Sequence, residues 1–292
     1  MHTESLWVGI CAALASGLAF AALQILFKRA HASHKKPPHP LALPSWLGFL
    51  WPVWMAIGLA TTQTGALTYT LTPAALVFPA AWALCTVTTT TGLVWLLRRF
   101  SLSEVAGYKK ALITLGALAA DVSLFHTYFP LTTLAAIGLL LGGALGLSNQ
   151  RGRYPTRHEW AIIGLWCAVL TVQIALYKHG QTLQPSVMAH TVVAQTMATG
   201  AYACLWAWPA VRQQAWPSLT VIIPIWGCVL AGNVLEGFAY AGLPLALVLV
   251  VTMVPAACMA AHDLYRGDLP HHKGTWAALA ALLAGFVVLM VG

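Results

Sequence analysis

The stretch LWVGICAALASGLAFAALQILF, residues 6–27, contains no charged side chain. The hydrocarbon core of a bilayer is about 30 Å thick, so a helix needs about 20 mostly apolar residues to cross it. This stretch therefore predicts a membrane-spanning helix. Further charge-free runs follow at Pro37–Leu97, Val122–Gln150, Trp160–Tyr177, Gly180–Val211, Gln213–Leu235, Gly237–Ala261 and Gly274–Gly292.

The composition of the whole chain is typical of a membrane protein. Of its 292 residues, 59% are hydrophobic and 8% are charged, whereas about 25% are charged in an average soluble domain. The net charge of +8 lies in short segments between the apolar runs. Cations there orient membrane spans, and no domain remains to bind nucleic acid. We therefore predict an all-α, polytopic integral membrane protein.

The apolar runs divide into ten predicted spans. Pro73 marks one division within the longest run, because proline opens a helix and disfavours helix just before it. Residues 1–150 would form a first transmembrane half with spans 1–5, and residues 151–292 a second, pseudo-repeated half with spans 6–10, within a single membrane domain. The predicted spans cover residues 5–27, 46–67, 74–97, 107–126, 130–148, 159–177, 185–208, 218–239, 243–262 and 273–291.

The distribution of Lys and Arg predicts how the chain is oriented. Fourteen of the fifteen cationic residues fall in or beside the odd-numbered gaps between spans, and Lys178 is the exception. Cytoplasmic loops carry the excess of Lys and Arg, so the odd gaps are predicted to face the cytoplasm and both termini to face outward. The expected location is the inner (plasma) membrane, as a multi-pass protein.

Two short patterns occur twice along the chain, in the same order. Residues 24–28 (QILFK) are echoed by residues 173–178 (QIALYK), and residues 69–77 (YTLTPAALV) by residues 240–248 (YAGLPLALV). Repeated halves are the usual architecture of secondary transporters, whose substrate site lies at the repeat interface near the midplane. The echoes therefore favour a secondary transporter.

The second pattern also carries a family resemblance. Residues 69–79 (YTLTPAALVFP), the basic turn at residues 98–107 (RRFSLSEVAG) and Lys28 at the end of the first span resemble motifs of the drug/metabolite transporter (EamA-like) superfamily. The resemblance covers essentially the whole chain, and residues 69–79 are most similar to NIPA-type magnesium transporters. It implies ten helices in two inverted five-helix halves, with a solute carried between them.

The chain departs from the family in two respects. The positions at which NIPA-type proteins carry an acidic residue and an asparagine fall near Thr62 and Gly65, which argues against magnesium. The spacing of the two echoes predicts parallel halves, whereas the resemblance implies inverted ones. The direction of the second half is therefore left open by the sequence.

Polar residues inside the spans are candidates for substrate binding, because a polar group at bilayer depth is costly. Glu236 is the sharpest candidate, and Asn233 lies three residues before it on the same helix face. Glu236 could be a proton or cation site or a partner for an amine; the alternative is a carboxylate that reaches water at the membrane interface. Gln24 and Gln173 occupy matching places in the echoing helices and could bind a solute or join helices by hydrogen bonds.

Three more residues complete the predicted substrate site. His190 could relay protons, or it could be a hydrogen-bonded packing residue. Tyr69 and Tyr240 would face the repeat axis if the second echo is structural, and they would be interfacial tyrosines if it is not. Lys28 and Lys178 are interpreted as anchors that reach the membrane surface.

The expected function is gradient-driven transport of a small organic solute: an amino acid, an amine or an aromatic metabolite. A NIPA-like route for Mg²⁺ or another divalent cation is the alternative, and a membrane enzyme acting on a lipid-linked substrate is a weaker one. No catalytic residue, metal site or cofactor is predicted, because enzyme motifs are absent and none of the six cysteines pairs at C-x-x-C spacing. The expected partners are the solute, the lipid bilayer and, in a homodimer, a second copy of the chain.

Overall fold

The computed structural model describes residues 3–32, 39, 41–100, 102–148, 155–213, 218–253, 265 and 273–291. All regular secondary structure in these ranges is helical, which confirms the predicted all-α class. The helices are α1 (Thr3–Ala32), α2 (Ala42–Ser45), α3 (Trp51–Gln63), α4 (Pro73–Arg99), α5 (Leu102–Ser123), α6 (Leu131–Ser148), α7 (Arg157–Gln181), α8 (Val187–Cys204), α9 (Pro209–Arg212), α10 (Leu219–Gly242), α11 (Leu245–Val251) and α12 (Lys273–Val291), with 3₁₀ turns at Trp46–Leu50 and Leu205–Ala207.

Each predicted span overlaps one of these helices. Four of the described helices are long and apolar enough to cross a membrane: α1, α4, α7 and α10. Helix α5 is long enough, but it is less apolar. Any 18 consecutive residues of it contain three or more charged side chains: Lys109, Lys110 and either Glu104 or Asp121. Helices α6 and α12 are shorter apolar helices. The span predicted over 243–262 begins in α11, and its part from residue 254 onward lies outside the described residues.

Local sequence sets the beginning of α4. Pro73 stands at the first helical position, where its missing N–H costs nothing, and the Thr72 hydroxyl accepts a hydrogen bond from the Ala75 N–H at 3.3 Å. The turn predicted before Pro73 is present as non-helical chain. Helix α7 begins with a reciprocal cap, in which Thr156 and Glu159 each bond the backbone of the other.

Helices α1 and α10 pack along each other in opposite directions. The Ser16 hydroxyl donates to the Gly232 carbonyl at 3.1 Å, and a side chain at Gly9 would lie 2.9 Å from the side chain of Leu243. Residue numbers thus rise along α1 as they fall along α10. These contacts fix the two helices as a close antiparallel pair.

Helices α4 and α7 form a second antiparallel pair. The Phe78 ring lies 4.5 Å from the His179 ring, and the indole N–H of Trp166 donates to the Thr89 carbonyl at 2.8 Å. Each pair therefore joins a helix from the first half of the chain to one from the second.

Contacts of α8 relate the directions of α1 and α7. The Gln195 amide meets Asn233 of α10, and Thr191 meets Tyr177 of α7 and the position of Gly237 in α10. His190, one residue before Thr191, lies against the position of Gly180, three residues after Tyr177 in α7. Helix α8 is thus antiparallel to both α7 and α10. Since α1 is also antiparallel to α10, α1 and α7 run in opposite directions, and the parallel arrangement suggested by the second echo does not fit these contacts.

Close packing of α6 against α12 depends on a glycine. A Cβ at Gly143 would lie 2.7 Å from the Ala278 carbonyl oxygen and 2.9 Å from the Leu282 backbone nitrogen, whereas a Cβ at neighbouring Gly142 would meet nothing within 4 Å. Small residues let membrane helices approach in this way.

Gly143→Ala is expected to lower the free energy of unfolding by about 1–3 kcal/mol, because the methyl group must push two backbones apart. Gly142→Ala is the matched control, and it should be neutral or slightly stabilising because alanine favours helix. Thermal unfolding of the two purified variants in detergent checks the prediction. Equal melting temperatures for both would contradict it.

Candidate functional site

A cavity of about 160 Å³ lies where α1, α4, α5, α7, α8, α10 and α11 meet. It is smaller than the roughly 300–1,000 Å³ of sites for drug-sized ligands, but it has room for a small organic molecule. Helices α1, α4 and α5 come from the first half of the chain, and the other four come from the second half. The cavity is therefore lined by helices from both halves of the sequence.

The carboxyl group of the cavity belongs to Glu236 on α10. Tyr240, one helical turn later, donates its hydroxyl hydrogen to Glu236 Oε1 at 2.7 Å. Asn233, almost one turn earlier, donates from Nδ2 to Gln195 Oε1 at 3.0 Å. The i, i+3 and i+7 spacing of Asn233, Glu236 and Tyr240 along α10 places all three side chains on one face, directed into the cavity.

Two adjacent lysines of α5 line the same cavity. Lys110 donates from Nζ to Thr252 Oγ1 of α11, and both Lys109 and Lys110 interact electrostatically with Glu236. The cavity thus contains two cationic groups and a single carboxyl among its described lining residues. An ionised group in this apolar setting needs an opposite charge nearby.

Gln173 on α7 is held by hydroxyl groups of α4. Its Oε1 accepts from Thr89 Oγ1 at 2.7 Å, and its Nε2 donates to Thr86 Oγ1 at 3.0 Å. Both threonines line the cavity with it. Both ends of the Gln173 amide are held by α4, so the amide presents an oriented polar edge to the cavity.

Two other buried amides have an unpaired atom. Gln24 is 4% exposed and its Oε1 has no hydrogen-bond partner; Gln195 is 2% exposed and its Nε2 has none. Buried polar groups in proteins are almost always paired. In this cavity Gln24 offers an acceptor and Gln195 offers a donor to an occupant.

Aromatic side chains form much of the remaining wall. Tyr202 is fixed by Thr90, whose hydroxyl lies 2.6 Å from the phenol oxygen, and the Trp82 and Tyr177 rings lie 5.2 Å apart. Trp166 and Phe20 also line the cavity. Such surfaces favour an apolar portion of a ligand.

The structure brings together five of the seven predicted site residues: Gln24, Gln173, Asn233, Glu236 and Tyr240. The other two lie elsewhere. Tyr69 places its hydroxyl 2.6 Å from Thr61 Oγ1, and His190 is fully buried behind Tyr177, with ring centroids 4.5 Å apart and both ring nitrogens unpaired. Tyr69 and Tyr240 are therefore not equivalent positions around this cavity.

Several lining residues were not among the predicted site. Lys109 and Lys110 follow a polar turn, where lysine side chains can reach the membrane surface, and the threonines of α4 can bond carbonyl groups of their own helix. Gln195 received no role of its own. A lysine pair inside a predicted span, with a single acid in a later predicted span, is the signal that could have identified the lysines.

A second buried charge cluster lies outside the cavity. Asp121 of α5 is fully buried, accepts from the N–H groups of Leu245 and Ala246 at 3.1 and 2.7 Å, and lies 3.8 Å from Lys178 Nζ. Lys178 also donates to the Leu243 carbonyl at 3.1 Å. This cluster joins α5 to α7 and to the start of α11.

Comparisons with known proteins show the fold alone. No protein-family model matches the chain, and no curated protein does. Among 28 matching chains of solved structures, one described as "Crystal structure of protein" aligns with 100% of this chain and 99% of its own length, with a TM-score of 0.66 and 15% identity. The whole chain therefore has the fold of a solved protein of similar length.

Proposed function

We propose that the chain is a secondary transporter of a small organic solute and that the cavity around Glu236 is its binding site. The observation that carries the proposal is a small cavity with three charged groups, enclosed by apolar helices from both halves of the chain. Intramembrane ionisable groups mark substrate or ion pathways in membrane proteins. The proposed topology is ten spans in two inverted halves in the inner membrane.

Part of the pattern of helix contacts supports the two-half topology, although the contact of α4 with α8 has no counterpart of similar extent between α10 and α3. In the proposed correspondence between the halves, α1 matches α7, α3 matches α8, α4 matches α10, α5 matches α11 and α6 matches α12. The contact of α1 with α10 then corresponds to that of α7 with α4, and the contact of α1 with α11 corresponds to that of α7 with α5. Three further contacts, α3–α8, α5–α11 and α6–α12, each join two matching helices. A pseudo-twofold relation of this kind places a carrier's site where the halves meet.

The charges in the cavity disfavour the magnesium alternative. Mg²⁺ prefers several carboxylate or water oxygens, whereas the described lining supplies one carboxyl and two lysines. Among the described residues, no three His, Cys, Asp or Glu side chains converge to hold a metal ion. A divalent cation would be repelled by Lys109 and Lys110.

An uptake screen on purified protein in proteoliposomes tests the proposal. We expect at least one amino acid, organic acid, amine or aromatic metabolite to accumulate, and more so with a proton gradient. Gln173→Leu, which removes the amide between Thr86 and Thr89, should reduce that uptake at least about tenfold. Gln63→Leu on exposed helix α3 is the matched control. Saturable Mg²⁺ uptake without any organic solute would overturn the proposal.

A further inference from the structure

The charges lining the cavity do not balance. Lys109 and Lys110 supply two cations, and Glu236 is the single acidic side chain among the described lining residues. Glu236 already accepts the Tyr240 hydroxyl and interacts with both lysines. Counted as ionised groups, the described lining residues therefore carry one more positive charge than negative, and an excess charge is expensive at this depth.

Two unpaired amide groups indicate which hydrogen bonds a ligand would make in the cavity. Gln195 Nε2 is a buried donor without an acceptor, and Gln24 Oε1 is a buried acceptor without a donor. Both residues line the cavity with the lysines. An occupant with an anionic oxygen and a separate hydroxyl or N–H group would pair every one of these atoms.

We infer that the solute, in the transport function proposed above, is a monoanionic organic acid. Its carboxylate is held by Lys109, Lys110 and Gln195, and its apolar part packs on the aromatic wall. A hydroxyl next to the carboxylate donates to Gln24. This assignment differs from the amino acid, amine or aromatic metabolite expected from the sequence, whose predicted site held one carboxyl and no lysine.

Charge balance distinguishes a carboxylate from the other candidates. One carboxylate brings the sum of the three charged side chains and the ligand to zero. A phosphate monoester carries about −1.5 to −2 charges at pH 7 and would overshoot. A zwitterionic amino acid leaves the excess positive charge in place, and an amine increases it.

Four compounds with related carbon skeletons provide the probe set: 2-hydroxy-4-methylpentanoate, 4-methylpentanoate, leucine and 3-methylbutylamine. Binding is measured by titration calorimetry on the purified full-length protein in nanodiscs. We expect the affinity to fall in the order given. The hydroxy acid should bind at least about tenfold more tightly than leucine, because its net negative charge offsets the excess positive charge of Lys109 and Lys110, whereas leucine carries no net charge. Affinity for leucine or the amine equal to or greater than that for either acid would overturn the inference, and so would no binding of any of the four.

Variants then test the residues. Lys110→Met should weaken binding of the acids at least about tenfold, and Lys109→Met with Lys110→Met should reverse the preference toward the amine, since Glu236 is then the remaining charge. Glu236→Gln removes the carboxylate that competes with the ligand for Lys109 and Lys110, so it should tighten binding of the acids, whereas an amine site would lose its ligand. Lys273→Met, on the exposed start of α12 and outside the cavity, is the control. Unchanged acid binding in the double variant would contradict the inference.

The binding assay separates this inference from the proposed function. Acids that bind in nanodiscs but do not cross proteoliposome membranes would refute transport and leave the anion site intact. Uptake of amines alone, insensitive to both lysine substitutions, would support transport and refute the anion site.

Discussion

Replacing Glu236 with glutamine is expected to abolish uptake driven by a proton gradient while the protein stays folded. Glutamine has the shape of a protonated glutamate and can still accept the Tyr240 hydroxyl hydrogen bond. It cannot take up or release a proton. Since Glu236 is the one carboxyl among the described cavity residues, the variant loses the group best placed to carry a proton between the two sides of the membrane.

Solute exchange provides the internal control for this variant. Exchange of one substrate molecule for another requires binding and the conformational change but no net proton movement, so counterflow at saturating substrate should persist. Both rates are measured on one preparation of Glu236→Gln in proteoliposomes. Lys109, Lys110 and Tyr240, which interact with the Glu236 carboxyl, are unchanged in the variant, so a selective loss is attributable to position 236. Normal proton-driven uptake in the variant would exclude Glu236 as the coupling residue.

Asp121→Ala is expected to cause the largest loss of stability, about 3–5 kcal/mol. The fully buried carboxylate holds the N–H groups of Leu245 and Ala246 and lies 3.8 Å from the Lys178 ammonium. Its removal leaves two helix-initiating N–H groups without their acceptor and a cation without its partner. Thermal unfolding in detergent should show a large decrease in melting temperature.

A second substitution separates the charge from the hydrogen bonds. Asp121→Asn retains an oxygen that can accept one backbone N–H, so its loss should be smaller. Adding Lys178→Met to Asp121→Asn removes the unpaired cation and should recover part of the stability. No difference between Asp121→Ala and wild type would mean that the cluster does not hold α5 to α11. A double variant less stable than Asp121→Asn would assign the stability to the bond from Lys178 to the Leu243 carbonyl.

Much of the candidate site could be predicted from the sequence, because polar side chains are rare in the predicted spans. Glu236, Asn233, Gln24 and Gln173 are conspicuous in apolar runs, and the structure places all four on one cavity. His190 is equally conspicuous but lies behind Tyr177. Rarity identifies a residue as costly at that depth, but the direction in which it points depends on how its helix is rotated against its neighbours.

The second echo shows where pattern alone misleads. Residues 69–77 and 240–248 each carry a proline at the start of a helix, where proline is favoured. Tyr69 lies in non-helical chain and bonds Thr61, whereas Tyr240 lies in the last turn of α10 and lines the cavity. The match therefore does not mark equivalent positions of the two tyrosines.

The sequence by itself determined the helices, their approximate ends and their suitability for a bilayer. These are local properties: a backbone in hydrocarbon must satisfy its own hydrogen bonds as helix, and Pro73 and Thr72 act on the turn that contains them. Only the tertiary structure decided which charges meet. Lys109, Lys110 and Lys178 are each compatible with a surface anchor in isolation, yet the first two line the cavity and the third joins Asp121. Asp121 and Leu245 are 124 residues apart, and contacts over such separations follow from helix packing, which neither hydropathy nor spacing encodes.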